Sequence, residues 1–260
     1  MKDSNVYDSD LRRFWVDLHV HTVLSPCAEL DMGAPEVVAR CREEGISIVA
    51  ATDHNHAGNA PAIQRAASEK GENSALVLSG MEVQSMEDIH LVLVFPCHDS
   101  AAEFQEWLWL KMPQISNDEE AFGYQLIIDH ENNVVDQEPI LLIQGAQYSI
   151  DEIAKHGMDS GALVIPAHLD RSAFSYEAVL GRLPEDFPCS AIELSPKVSH
   201  SDLLLWKERY PNRTIVRSSD AHRLSDISRS RCTSMLLAEP SFHEVELALQ
   251  NSMGRKVLFP

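Results

Sequence analysis

Short apolar runs rich in β-branched residues alternate along this chain with longer amphipathic stretches, and most of the runs are followed within three residues by a histidine or a carboxylate. Such alternation is the signature of repeated β/α units. Phe14 to Val20, Ile46 to Ala51, Ala75 to Ser79, Leu91 to Phe95, Ala162 to Pro166, Ala191 to Leu194, Thr214 to Arg217 and Met235 to Ala238 read as strands. Helices are expected from about Pro35 to Glu44 and from about Ala60 to Lys70, with Gly45 and Gly71 suiting their ends. A length of 260 residues matches one closed (β/α) barrel around one core, so a single α/β domain over residues 1–260 is expected. From about Pro113 to Tyr148 the rhythm breaks, with polar stretches at Ser116 to Glu120 and Glu131 to Glu138. This segment reads as an insertion, and a lid over a site is one form it could take. No internal repeat points to a solenoid or propeller.

Composition narrows the function classes. Hydrophobic residues at 44% and charged residues at 23% belong to a globular chain with a full core, not to a disordered one. The N-terminal stretch has no apolar run of the signal-peptide kind and no segment approaches a membrane span, which gives the expectation of a cytoplasmic protein without a membrane partner. Five scattered cysteines, none in a Cys-x-x-Cys pair, read as reduced thiols. A net charge of −19 repels phosphodiester backbones, so long duplex nucleic acid is not expected as a partner. Small or short anionic substrates stay open, because divalent cations reverse the field locally.

The residues with metal-binding chemistry fall at the C-terminal ends of the expected strands. His19 and His21 are two apart at the end of the first strand and point the same way, so one ion could take both. Asp53 and His54 follow the second strand, Glu82 the third, and His90 stands at the mouth of the fourth. His168 follows Val164 to Pro166, and Asp220 with His222 follows Ile215 to Arg217. Singly, each has a plain explanation as a hydrogen-bonded core or surface residue. Together they gather at the end of the barrel where such folds place their active sites. Glu82 could bridge two cations, as carboxylates do in sites with metals roughly 3.5–4 Å apart. The mixed nitrogen and oxygen donors suit zinc, manganese or iron better than calcium. His98, His156, His200 and His243 fall elsewhere and read as surface residues; His56 and His130 have no strong claim on the site.

At these residues the chain resembles the PHP family, the polymerase and histidinol phosphatase superfamily. The matching segments are His19 to His21, Thr52 to Asn55, Gly80 to Glu82, His90, Pro166 to His168 and Ser218 to His222, in family order over about four fifths of the sequence. The resemblance implies a distorted seven-stranded (β/α) barrel, TIM-barrel-like, with two or three divalent transition metals and phosphate-ester hydrolysis. It implies a first metal on His19, His21, Glu82 and Asp220, and a second on Glu82, His90 and His168. A third would use His54, His222 and one more ligand soon after the His-x-His. There this chain departs from the family, offering Cys27, Glu29 or Asp31; Glu29 is the favoured reading because a hard carboxylate matches the other donors.

The activity expected is phosphoesterase chemistry on mono- or diesters through a metal-bound hydroxide, since coordination lowers the pKa of water from 15.7 to about 7. Arg171, just after His168, is the candidate guanidinium for the phosphoryl oxygens, against a plain ion pair with Asp170. Asp53 is read as orienting an imidazole, or as a proton donor to the leaving group. Substrates expected are a small phosphorylated molecule or a short oligonucleotide; the oligomeric state is not legible. The competing readings are a metal-stabilised binding module without activity, and an amidohydrolase-type barrel. Against the latter, no lysine stands at a strand end to serve as a carboxylated bridge.

Overall fold

β1 (Arg12–Val20) begins exposed and ends buried, as its two arginines give way to alternating apolar residues. In the computed structural model, which describes residues 11–71 and 74–258, the chain continues through α1 (Ala34–Glu44), β2 (Ile48–Ala51), α2 (Ala60–Glu69), β3 (Leu76–Gln84) and β4 (His90–Phe95). There follow α3 (His98–Trp109), α4 (Glu119–Phe122), β5 (Leu126–Ile128), β6 (Val134–Gln137), α5 (Ile150–Asp159), β7 (Leu163–Pro166) and α6 (Tyr176–Val179). β8 (Ile192–Leu194), α7 (His200–Arg209), β9 (Ile215–Arg217), β10 (Thr233–Leu237), α8 (Phe242–Leu249) and β11 (Lys256–Leu258) complete it. Among the described residues no helix is long and apolar enough to cross a membrane.

Seven strands form one curled sheet in the order β11-β10-β1-β2-β3-β4-β7. β1, β2 and β3 run parallel, β4 is antiparallel to both neighbours, and β8 and β9 form a parallel pair of their own. That pair spans the gap left by the curl. Ser190 N–H donates to the Val164 carbonyl on one side, and His21 N–H to the Ala221 carbonyl on the other. The result is the TIM-barrel-like α/β architecture that the resemblance implied, with β10 antiparallel to β1 and β11 and with a further difference at β3. β3 runs on to Gln84, beyond the expected end at Ser79, and only Ser85 to Ile89 separate it from β4. Five residues cannot make a parallel crossover, so the two strands form a hairpin. Gly80 permits the close approach there, since a Cβ would stand 2.6 Å from the Leu93 carbonyl and 2.8 Å from Thr52.

The core lies in three clusters, one inside the curled sheet and two beneath helices. Val16 and Leu18 join the inner one with Ile48, Leu78, Val92 and Ile165, whereas Val20 joins the cluster under α1 and α2. The change of side coincides with a register break between β1 and β2 from Asp17 to Val20. Such irregularities re-aim side chains next to sites. Here the break turns His19 and His21 to the top of the inner cluster. Residues 113–148, which we propose as an insertion within the single domain, form a β5–β6 hairpin that pairs only with itself. Asn59 of the α2 N-terminus ties it down, donating to the Leu126 carbonyl and accepting from Ile128 N–H, and Ile128 is buried.

Candidate metal centre

Glu82 is buried at the end of β3 with five imidazole nitrogens around its two oxygens. His90 Nδ1 is 2.8 Å, His168 Nε2 3.2 Å and His19 Nε2 3.3 Å from Oε1; His54 Nδ1 is 3.1 Å and His21 Nε2 3.4 Å from Oε2. The β3–β4 hairpin supplies Glu82 and His90, β1 supplies His19, and the loops after β1, β2 and β7 supply His21, His54 and His168. Asp220, after β9, brings Oδ1 to 3.5 Å from His19 Nε2 and 3.3 Å from His21 Nε2, while those two nitrogens are 3.2 Å apart. A tetrahedral ion with bonds of 2.0–2.1 Å has ligand-to-ligand edges of about 3.3 Å. Donor atoms spaced in this way around one point fit a metal. Three groups could hold one: His19, His21 and Glu82; Glu82, His90 and His168; and His21, His54 and His222. His54 Nδ1, His90 Nε2 and His168 Nδ1 are also buried without a hydrogen-bond partner, which buried polar atoms rarely tolerate.

Partners behind the imidazoles fix their tautomers. His19 Nδ1–H donates to Glu193 of β8 at 3.1 Å. Ser25 donates its one hydroxyl proton to Asp53 at 2.6 Å and so accepts from His21 Nδ1–H at 2.9 Å. His222 Nδ1–H donates to the Asp220 carbonyl at 2.9 Å. In all three the lone pair of Nε2 is left free, the arrangement that positions histidine on a metal. Glu193 has a second task, accepting the His168 backbone N–H at 3.1 Å. His168 and Asp220 both have positive φ, 32° and 49°, in a region that functional sites hold against the backbone's preference.

Burial opposes a charge on His19, but Glu193, Glu82 and Asp220 outweigh it and raise its pKa well above the usual value. Against the same burial, Asp220 and Glu82 raise His21 to about 9. Burial and neighbouring imidazoles push His54 well below the usual value and His222 to about 4. Metal-free protein at neutral pH therefore carries protons on His19 and His21. A group whose pKa is raised by folding stabilises below its unfolded pKa and ceases to do so as pH rises through its folded one. Metal-free protein is accordingly expected to lose stability between pH 6.5 and about 9, on the order of 3 kcal/mol from His21 alone. Thermal unfolding in chelator across that range measures it, and a rise in stability with pH would place the protons elsewhere.

Of the residues singled out in the sequence, His19, His21, His54, Glu82, His90, His168, Asp220 and His222 converge. Glu29 does not. Its backbone N–H donates to the His222 carbonyl, and that turn leaves the carboxylate exposed, 3.8 Å from Arg223. His21 takes the place expected of Glu29 in the third group. Asp31 is exposed, and Cys27 stands on the rim, where desolvation and the Glu82, Asp220 and Asp53 carboxylates push its thiol to about 12. Arg171 pairs with Asp220, not with Asp170, which instead accepts from Ser195. Asp53 reaches His21 through Ser25 and does not touch the imidazole of its neighbour His54. Its oxygens accept from Thr22 N–H, Thr22 Oγ1 and Ser25 Oγ. His56 accepts from Gly58 N–H and meets Trp109 edge-on, and His130 faces Glu69. Glu193 and Ser25 were missed: Glu193 lies inside the apolar run Ala191 to Leu194, not after it as Glu82 follows its own run, and a lone carboxylate in such a run is the signal that could have found it.

No residue of the three groups lies in residues 116–138. Deleting that stretch is expected to leave metal content unchanged while lowering stability by about 2–4 kcal/mol, since Ile128 and the Asn59 hydrogen bonds are lost. Elemental analysis and denaturant unfolding measure the two; loss of metal would tie the segment to the centre.

The PHP domain model matches residues 17–224. No curated protein matches the sequence significantly. Among solved structures, the lesion-specific endonuclease PfuEndoQ from Pyrococcus furiosus aligns with a TM-score of 0.68 at 18% identity, over 95% of this chain and 58% of that one. A two-domain protein from Bacteroides vulgatus containing a predicted PHP-like metal-dependent phosphoesterase gives 0.55 at 16% identity, over 96% and 66%. An amidohydrolase from Chromobacterium violaceum, with bound sulfate and no metal, gives 0.57 at 17% identity, over 94% and 97%. The chain thus spans less than two thirds of the first two proteins. At these identities the likeness is one of fold.

Proposed function

The chain belongs to the PHP domain family, and we propose that it is a metal-dependent hydrolase of phosphate mono- or diesters, working at a di- or trinuclear site. The observation that carries this reading is the convergence of five imidazole nitrogens on Glu82, with Asp220 beside two of them, His19 and His21. Zinc, manganese or iron is the class of ion that such donors favour. Divalent ions held there would supply Lewis acidity and a nucleophile at neutral pH by lowering the pKa of water. His19, His21, Glu82 and Asp220 would hold one ion, Glu82, His90 and His168 another, and His54 with His222 and His21 a third.

This chain's residues do the rest. Glu193, Ser25 and the Asp220 carbonyl keep the imidazole lone pairs aimed inward, and Asp53 holds the loop that carries Ser25. Arg171 is half-exposed beside Asp220, placed to meet an anionic phosphoryl group and stabilise the charge that develops on it. A guanidinium there favours a phosphate ester over a neutral amide, and the complete ligand set favours catalysis over a binding module. The charge of −19 supports a small phosphorylated substrate or a short oligonucleotide over a long duplex.

Protein loaded separately with manganese, zinc and iron should hydrolyse p-nitrophenyl phosphate or its bis ester, stop on chelation and recover on re-addition. Arg171→Ala should lower kcat/KM about a hundredfold with metal content unchanged. Turnover of a small amide panel without phosphoester turnover would overturn the assignment.

A further inference from the structure

The loop after β7 closes on itself and delivers two side chains to the rim of the centre. Arg171 N–H donates to the His168 carbonyl, and Ser175 Oγ donates to the Arg171 carbonyl at 2.7 Å. Between these ties Arg171 turns to Asp220 and Phe174 turns to His90. The phenyl ring lies on the imidazole with centroids 4.9 Å apart and planes 24° from parallel, while the Phe174 carbonyl accepts the His90 N–H at 3.0 Å. Phe174 has φ 57°, a left-handed conformation that bulky residues rarely adopt. It is nonetheless 45% exposed. A core phenylalanine would be covered, and a surface one would not be held in a disfavoured backbone state. Of the exposed aromatic side chains Phe122, Tyr124 and Phe174, it is Phe174 that stacks on a residue of the centre.

A fixed aromatic ring, backed by an imidazole and open to solvent, is a surface for stacking a flat group. On the same loop a guanidinium stands where a phosphoryl group would sit. We propose that Phe174 is the stacking platform for a nucleobase, so that the substrates are nucleotides or the ends of short oligonucleotides in preference to sugar or alkyl phosphates. This rests on the phosphoester reading above. His90 is the imidazole between platform and Glu82, and it sets the ring one storey away from the bond to be broken. The ring determines specificity and takes no part in bond cleavage.

The test is binding, which does not depend on turnover. The manganese-loaded chain is titrated with a non-hydrolysable nucleoside phosphonate and with methylphosphonate, alongside Phe174→Leu and Phe174→Trp. Stacking of one base on an aromatic side chain is worth about five- to 150-fold in affinity. Wild type should prefer the nucleoside probe by a factor in that range, Phe174→Leu should bring the two probes together, and Phe174→Trp should keep the preference. Metal content should be the same in all three. Equal weakening of both probes in Phe174→Leu, or lost metal, would make the ring a mere support for His90 and overturn the inference. A wild type without preference would also overturn it while leaving the phosphoester reading intact. Failure of both phosphonates to bind would instead remove that reading, and the inference with it.

Discussion

Glu82→Gln is expected to lower metal content by about two ions per chain and phosphoester turnover by more than about 100-fold. The bound follows from the effect of residues one step removed: losing a partner behind a metal ligand alone costs about 10–100-fold in metal affinity or activity. Glu82 is a candidate ligand in two of the three groups and contacts a member of the third. Glutamine keeps the volume but loses the anionic oxygens, and it brings an amide N–H₂ into a space where His90, His168, His19, His54 and His21 all present ring nitrogens. Burial alone would raise the pKa of Glu82; His90, His19 and His54 outweigh it and hold it well below the usual range. The group is therefore ionised across the working range, and its charge is what the variant removes. Elemental analysis of purified protein measures the ions, and circular dichroism checks the fold. Unchanged stoichiometry in a folded variant would mean that the carboxylate bridges nothing.

Much of this centre was legible in the sequence because its geometry is local to strand ends. β1, β2, β7 and β9 end where the apolar runs end, so the side chains just beyond them were already placed at one end of the barrel. The period of two paired His19 with His21, while the register break from Asp17 to Val20 that re-aims them is not encoded in it. What was not legible depends on how distant loops turn. The segment from Ser25 to Asp31 folds through Ser25 and Glu29 backbone bonds that no periodicity encodes, and these send the Glu29 carboxylate outward. Arg171 has Asp170 beside it in sequence but reaches Asp220 across the site, because Asp170 is engaged by Ser195. The antiparallel β4 was hidden for a similar reason. His90 lies at the start of its strand, and only the hairpin brings that start to the end of the barrel where the other ligands stand.

Glu193→Gln is expected to weaken metal binding by about 10–100-fold while the chain stays folded. The residue touches no group that could serve as a ligand to more than one ion, yet it holds two of them in place. One oxygen lies 3.1 Å from His19 Nδ1 and accepts the His168 backbone N–H, also at 3.1 Å. His168 has φ 32°, so that N–H bond restrains a conformation the backbone alone would leave. A glutamine with its carbonyl oxygen in the same place still accepts from both donors, so what the variant removes is the negative charge behind His19, and hydrogen bonds to a charged acceptor are the stronger ones. Glu193 is the largest of the attractive influences on the His19 imidazolium, so its loss lowers that pKa and, in metal-free protein, the pH at which stability falls. The two effects can be separated: metal affinity by competition with a chelator, and the pH profile of unfolding without metal. A variant with weaker metal binding but an unshifted profile would show that Glu193 acts through the His168 backbone and not through His19. A variant unchanged in both would place the carboxylate outside the centre altogether.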